Sequence, residues 1–312
     1  MQLIRGLYNL PTFPQGCALT IGNFDGVHLG HQTILRHLKQ QAEQLALPAV
    51  VMLFEPQAKE FFLKEKAPAR LMRLRDKLTY LARFGVDYVF CVPFNLAFAQ
   101  QTTDQFIQHY LIDKLKVKFL SVGDDFRFGV NRSGNFETLA AAGKQYGFQV
   151  ENNTSYCLDS LRVSSTAIRQ ALAEDKLDQV EQMLGRAYSI LGRVVHGNEL
   201  GRTIGFPTAN IRLHRQVNPL QGVYAVEVMD KRGNHYYGVA NVGNRPTING
   251  MKPLLEVHLF DFNGDLYGKT LEIFFKSKLR SETKFPSFDA LRQQIARDVE
   301  NAKKYFQQND EK

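Results

Sequence analysis

The sequence predicts two folds in series: a parallel α/β sheet over residues 1–186, and an antiparallel β-barrel with a terminal helix over residues 187–312. Two observations carry this. In the first half, short apolar runs alternate with helical patterns, as in a parallel sheet covered on both faces. In the second half, strand-like segments follow one another with only turn signals between them, which favours a closed barrel. A chain of 312 residues is also long for a single core.

The elements follow in order. "CALTIGNF" (17–24) reads as a strand, and the segment after it places Ile34, Leu35, Leu38, Ala42 and Leu45 at helical spacing. "PAVVMLFE" (48–55) is a second buried strand, followed by the helix "RDKLTYLARFG" with Gly85 as its stop. "DYVFCVPF" (87–94), the helix "TDQFIQHYLIDKL" and the strand "KFLSVG" (118–123) continue the alternation. Past "GRAYSI" (185–190) come strands at 224–230, 235–243, 254–262 and 271–279, separated by "KRGN", "NGMKP" and "FNGD". One helical pattern, residues 287–306, closes the chain.

Composition excludes several classes. No apolar run approaches the roughly 18–20 residues that span a bilayer, and the first residues lack the pattern of a secretory signal. The three cysteines, Cys17, Cys91 and Cys157, form no CxxC and lie at no metal-ligand spacing. A cytoplasmic protein without membrane attachment is expected. The formal net charge of +8 fits nucleic acid or polyanionic small molecules; its lysines and arginines are scattered, and the charge alone decides neither.

The chemistry-bearing stretch is "TIGNFDGVHLGHQ" (20–32). It leaves the first strand and opens the first helix, the place where parallel α/β folds bind ligands. Gly22 and Gly26 let backbone approach a phosphate, with Phe24 and Asp25 in the same loop, and a helix N-terminus presents unpaired N–H groups to it. His28 and His31, three apart, face one side of a first helical turn and can donate to phosphate oxygens as charge builds up. Further on, "SSTAIRQAL" reads as a helix start with Ser164 or Ser165 as cap and Ile168, Ala171 and Leu172 as its buried face. Arg169 follows one turn in, able to reach an anion. Thr208 and Asn210 of "GFPTAN" stand two apart on an extended segment, so their oxygens share a side. Hard oxygens of this kind suit Mg²⁺ carried with nucleotide phosphates, although on bare spacing a structural proline turn is the favoured reading. Gly201 and Arg202 lie in a glycine-rich basic stretch consistent with a phosphate loop.

"GNFDGVHLGHQ" resembles the signature of the HxGH nucleotidyltransferases, in the form found in prokaryotic bifunctional riboflavin kinase/FAD synthetases. "VGDDFRFG" (122–129), "VSSTAIR" (163–169), "GFPTANI" (205–211), "LEVHLFDFNGDLYG" (255–268) and "LRSETKF" (279–285) extend the resemblance, in order, over nearly the whole chain. It implies an FMN adenylyltransferase domain over 1–186 and a riboflavin kinase domain over 187–312. It implies that Ser164, Ser165, Thr166 and Arg169 hold ATP phosphates, that Thr208 and Asn210 bind MgATP, and that Glu256 is the base for the ribityl hydroxyl. It also implies flavin contacts at Phe62, Asp125, Arg127 and Phe128 in the first half, and at Arg280, Glu282 and Phe285 in the second. The expected partners are riboflavin, FMN, FAD and ATP with Mg²⁺, and neither nucleic acid nor membrane. Two rivals remain on sequence grounds: an HxGH enzyme with another adenylyl acceptor, and a basic nucleic-acid-binding protein.

Overall fold

Strand β1 (Gln2–Arg5) opens the chain and pairs in parallel with a strand more than eighty residues later, a pairing no local pattern announces. The structure, a computed structural model, describes residues 1–159, 161–197, 205–213, 217–247 and 250–310. Next come β2 (Cys17–Ile21), α1 (Leu29–Gln44), β3 (Ala49–Glu55), α2 (Ala58–Leu63), α3 (Leu74–Arg83) and β4 (Tyr88–Pro93). The short α4 (Leu96–Ala99) and α5 (Thr103–Phe106) precede β5 (Val117–Gly123), α6 (Phe136–Tyr146) and β6 (Gln149–Asn153). A two-stranded ribbon, β7 (Cys157–Leu158) and β8 (Leu161–Arg162), leads to α7 (Ser165–Ala173) and α8 (Leu177–Leu184).

The six parallel strands lie in the order β1-β4-β3-β2-β5-β6. From β2 the chain builds outward through β3 and β4 on one side, then returns to place β5 and β6 on the other. The carboxyl end of β2 is therefore the topological switch point, where open parallel sheets form a ligand crevice. The fully buried β2, flanked by two strands and covered on both faces, explains the unbroken apolar run of its sequence. On α1, Leu35, Leu38 and Ala42 are buried, whereas Leu45 lies beyond the helix as its C-cap and is exposed. The predicted helix over 103–115 is α-helical only to Phe106; Ile107–Lys114 winds as a π-helix, with Leu115 N–H donating to the Tyr110 carbonyl at 3.0 Å. Its wider turn places the buried Phe106 and Tyr110 rings in a stack at 5.4 Å.

The second fold comprises β9 (Ser189–Val195), β10 (Ala209–Arg212), β11 (Gly222–Asp230), β12 (His235–Thr247), β13 (Gly250–Leu259), β14 (Thr270–Arg280) and α9 (Phe288–Asp310). The strands close a barrel in the order β10-β13-β12-β11-β14-β9, with β9 pairing back onto β10. All its pairings are antiparallel. Tyr224, Val226, Leu255, Val257 and Ile273 are buried on alternate positions, while Val223, Ala225 and Val239, on the other face, pack against Ala302 and Phe306 of α9.

Spatially, the chain divides into two compact units: Met1–Pro68 with Met72–Ser165, and Ala69–Leu71 with Thr166–Lys312. The second unit begins earlier than the change of sequence pattern near residue 187, and contacts within it show why. The Tyr224 hydroxyl donates to Asp175 Oδ1 at 3.1 Å, Lys278 Nζ meets Asp175 Oδ2 at 2.7 Å, and the Tyr188 hydroxyl donates to the Leu71 carbonyl at 3.0 Å. The turn between α7 and α8 is thus tied to the barrel wall.

Candidate functional site

In the first unit, the loop leaving β2 carries three positive-φ residues within four positions: Phe24 (φ 47), Gly26 (φ 90) and Val27 (φ 43). For Phe24 and a β-branched valine this conformation is strained, and strain of this kind persists where surroundings over-determine it, typically at functional loops. Hydrogen bonds from outside the loop hold it. The Asp25 carboxylate accepts from Met72 N–H at 3.0 Å, and the Ser165 hydroxyl donates to the Asp25 carbonyl at 2.8 Å. Lys77, 1% exposed, donates from Nζ to the Asn23 carbonyl.

His28 stands at the N-cap of α1, just before its first turn, and its Nδ1 accepts from His31 N–H at 3.3 Å. An accepting Nδ1 leaves the ring hydrogen on Nε2, so capping fixes the tautomer. The His28 and His31 rings stack at 3.6 Å and 20°, and the buried Phe24 ring lies 4.9 Å from His31. A Cβ on Gly30 would meet the His28 ring at 3.3 Å, so glycine lets that ring sit over the helix start. Burial pushes the His31 pKa well below the usual imidazole range, and the charges of His28 and Lys77 push it the same way. The pair the sequence brings to one side is therefore assembled, with His31 held neutral.

The other predicted residues of the first half are distributed as follows. Ser164 immediately precedes α7 and Ser165 begins it; the helix buries Ile168, Ala171 and Leu172, as the spacing predicts. Thr166 and Arg169 fall in the second unit, where Arg169 Nε donates to the Ala69 carbonyl at 2.5 Å. Phe62, 62% exposed, sits in an aromatic group with Phe61 and Phe94 at 5.2 and 5.7 Å. Asp125 is exposed and paired with Arg162 at 3.3 Å, and Arg127 donates to the neighbouring Phe126 carbonyl at 2.8 Å. Phe128, expected at the flavin, is 8% exposed and packs against Phe106 at 5.1 Å within the hydrophobic core.

In the barrel, Asn210 lies directly opposite Glu256 on the paired strands β10 and β13. Directly paired residues share one face with Cβ atoms roughly 4.5–5.5 Å apart. Thr208 precedes β10, and Asn210 Nδ2 lies 3.4 Å from its carbonyl. Asn210 is 6% exposed, and a Cβ on Gly197 would lie 2.4–2.8 Å from its amide. Glycine at 197 is thus what makes room for that side chain. Glu256 is half-buried between Leu255 and Val257, which point inward. Beside it, Gly205, Pro207, His258, Leu259, Phe260 and Lys303 line a groove of about 440 Å³. Gly201 and Arg202 lie outside the described residues.

Thr208 and Asn210 present hard neutral oxygens, and Glu256 adds a carboxylate on the same face. Among the described residues no group of three or more His, Cys, Asp or Glu could hold a metal. This donor set fits Mg²⁺ that arrives with phosphates supplying further ligands, the usual habit of that ion.

At the end of β14, Arg280 forks onto Asp298 of α9, with Nε and Nη2 contacts of 2.9–3.0 Å, and Gln294 Nε2 adds a bond to the same carboxylate at 2.9 Å. Asp298 is 2% exposed. The Arg280 guanidinium also lies 5.4 Å from the half-buried Phe285 ring. Its role therefore includes fixing α9 to the barrel. Glu282 is exposed and accepts from Gln221 Nε2 at 3.2 Å; a Cβ on Gly243 would lie 2.0 Å from its Oε1.

Sequence reasoning missed Lys77 and Asp298. Lys77 occupies an apolar-stripe position of α3, three residues after Leu74 and four before Leu81, which is a readable sign of a buried charge with a purpose.

Comparison with known proteins matches two families in succession along the chain. The FAD synthetase family matches residues 10–167 and the Riboflavin kinase family residues 184–306. The chain is 62% identical over 306 residues to a bifunctional riboflavin kinase/FMN adenylyltransferase of Haemophilus influenzae, covering 98% of this chain and 99% of that one. It is 54% identical over 307 residues to the protein of that name from Escherichia coli K12, covering 98% of each. A crystal structure described as a macrolide-efflux protein from Streptococcus pneumoniae is 32% identical with a TM-score of 0.79, covering 96% and 97% of the two chains. Among the described residues no helix here is long and apolar enough to cross a membrane. With both halves matched and relatives of this identity aligned from end to end, the chain belongs to the bifunctional riboflavin kinase/FMN adenylyltransferase family.

Proposed function

We propose that the two activities of this enzyme, riboflavin kinase and FMN adenylyltransferase, are carried by separate machinery: His28 and His31 serve adenylyl transfer, and Glu256 with Thr208 and Asn210 serves phosphoryl transfer. The observation that supports this most directly is that the histidine stack and the Asn210–Glu256 pair are each assembled within one compact unit.

In adenylyl transfer an FMN phosphate oxygen attacks the α-phosphorus of ATP, and the bond to pyrophosphate breaks. The attacking phosphate is already anionic near neutral pH, so the protein needs donors rather than a base. The glycine loop and the start of α1 offer backbone N–H groups, and the His28 tautomer offers an Nε2 hydrogen. His31, neutral and packed under Phe24, supports the His28 ring without adding repulsion inside the stack. Ser164 and Ser165 are assigned to the triphosphate, with Phe62, Asp125 and Arg127 toward the flavin. Phe128 acts through the core beneath them.

Phosphorylating riboflavin is different, because an alcohol must lose a proton as it attacks the γ-phosphorus. Glu256, a half-buried carboxylate, is assigned to take it. Thr208 and Asn210 would hold Mg²⁺, which when bound neutralises phosphate charge. The groove along Pro207, His258 and Phe260 is assigned to the nucleotide, and Phe285, backed by the Arg280–Asp298 pair, to the flavin together with Glu282.

The test is to incubate the protein with riboflavin, ATP and Mg²⁺ and separate the flavins. FMN and then FAD are expected, and a chelator in excess should stop both. FAD formation that persists in the chelator would remove Mg²⁺ from the first site.

A further inference from the structure

The pairing that places Asn210 opposite Glu256 continues one strand further. On β12, Asn241 lies directly opposite Glu256 from the other side. Asn210, Glu256 and Asn241 thus form a row across three adjacent strands, on the face away from the inward-pointing Leu255 and Val257. Strand spacing sets successive members of such a row roughly 5 Å apart. Asn241 Oδ1 is buried and accepts no hydrogen bond. An orphaned buried acceptor costs about 1–3 kcal/mol, and one retained in a functional row calls for a ligand that donates.

The chemistry of that ligand is restricted. Phosphate oxygens and the Glu256 carboxylate are acceptors and cannot satisfy another acceptor. A hydroxyl can. The alcohol attacked at Glu256 belongs to a polyol, so its next hydroxyl lies one carbon along the chain, a step that spans much of one strand gap. Resting on the assignment of riboflavin phosphorylation to Glu256, we infer that Asn241 binds substrate: its side-chain oxygen accepts a hydrogen bond from the ribityl hydroxyl adjacent to the one phosphorylated. Asn241 thereby favours flavins that carry the polyol over flavins that lack it, and orients the chain so that its terminal hydroxyl faces Glu256.

The test compares riboflavin with lumiflavin, which has the same ring system and a methyl group in place of the ribityl chain, the latter measured as a competitor. Asn241→Ala should weaken riboflavin binding about 10-fold, the scale of one hydrogen bond, and leave lumiflavin binding unchanged. The ligand-free variant should melt no lower than the wild type, because an unpaired acceptor has been removed; a purely structural asparagine predicts a loss. Equal weakening of both flavins, or undiminished riboflavin binding, would overturn the inference. Should the alanine variant not fold, Asn241→Ser is read instead. Its shorter hydroxyl predicts a weakening confined to riboflavin, and the same two outcomes overturn it. Failure of the underlying assignment shows separately, as wild-type kinase turnover in Glu256→Gln.

Discussion

The His28 and His31 rings stack at 3.6 Å, and the same two residues share the hydrogen bond that caps α1. The pair thus joins a helix start to a fixed tautomer. Replacing His28 with alanine should lower FAD formation from FMN by roughly 10²–10³-fold, the scale of losing one transition-state donor. His31→Ala should lower it in the same direction, by removing the ring that supports His28. Kinase turnover should stay within a few-fold. His28→Asn separates the two duties, because asparagine is a good N-cap. It should recover most of the roughly 1 kcal/mol of helix capping that alanine loses, without recovering FAD formation. Thermal melts alongside adenylylation assays measure both.

The depressed His31 pKa has a stability consequence with a definite sign. In the unfolded chain this histidine takes up a proton near its ordinary pKa of about 6.5, while in the folded protein it stays neutral well below that. The unfolded state then binds more protons, so the stability contribution present above about pH 6.5 is lost as the pH falls toward the folded pKa. The loss is at most about 1.4 kcal/mol per pH unit for one group. Denaturant unfolding of the wild type and His31→Gln between pH 7.5 and roughly pH 5 should show the wild type losing more stability on acidification. Parallel pH profiles would dispute the buried neutral state.

Asp298→Ala leaves the buried end of Arg280 without its carboxylate. Removing one partner of a buried pair typically costs about 3–5 kcal/mol, here discounted because Arg280 is partly exposed. We expect a clear fall in the melting temperature and weaker flavin binding in the kinase reaction as Phe285 loses its backing. Unchanged stability would show that the apolar contacts of α9, Ala302 and Phe306 among them, hold it without this pair.

The contacts of Asp175 predict where the kinase unit can be cut. A fragment beginning at residue 166 keeps the ties to Tyr224 and Lys278, and one beginning at residue 187 loses them. Both retain the barrel strands. The longer fragment should melt at a higher temperature, by several degrees for each kcal/mol retained. Equal melting temperatures would make α7 and α8 passengers of the barrel.

How much of this was legible in the sequence depends on the range of the interaction. Strand β2, helix α1 and the buried face of α7 follow from local periodicity and capping, and were readable. The β1 pairing and the strands β9 and β10 depend on distant partners and were not, and no local pattern marked the π-winding after Phe106. The same holds for the sites. His28, His31, Thr208 and Asn210 sit within short motifs. Asn241 becomes visible only when register sets it beside Glu256, and the Arg280–Asp298 pair only when α9 is brought to the barrel. Phe128 shows the converse: in a motif it reads as a platform, and in the fold it is core.

The division of labour is tested most directly by Glu256→Gln, which preserves size and removes basicity. Its kinase rate should fall by about 10²–10⁴-fold, the usual worth of a general base, with substrate affinities little changed. In the same preparation, FMN supplied directly should be adenylylated at the wild-type rate, since that nucleophile needs no base. Wild-type kinase turnover, or equal loss of both activities in a folded protein, would contradict the account.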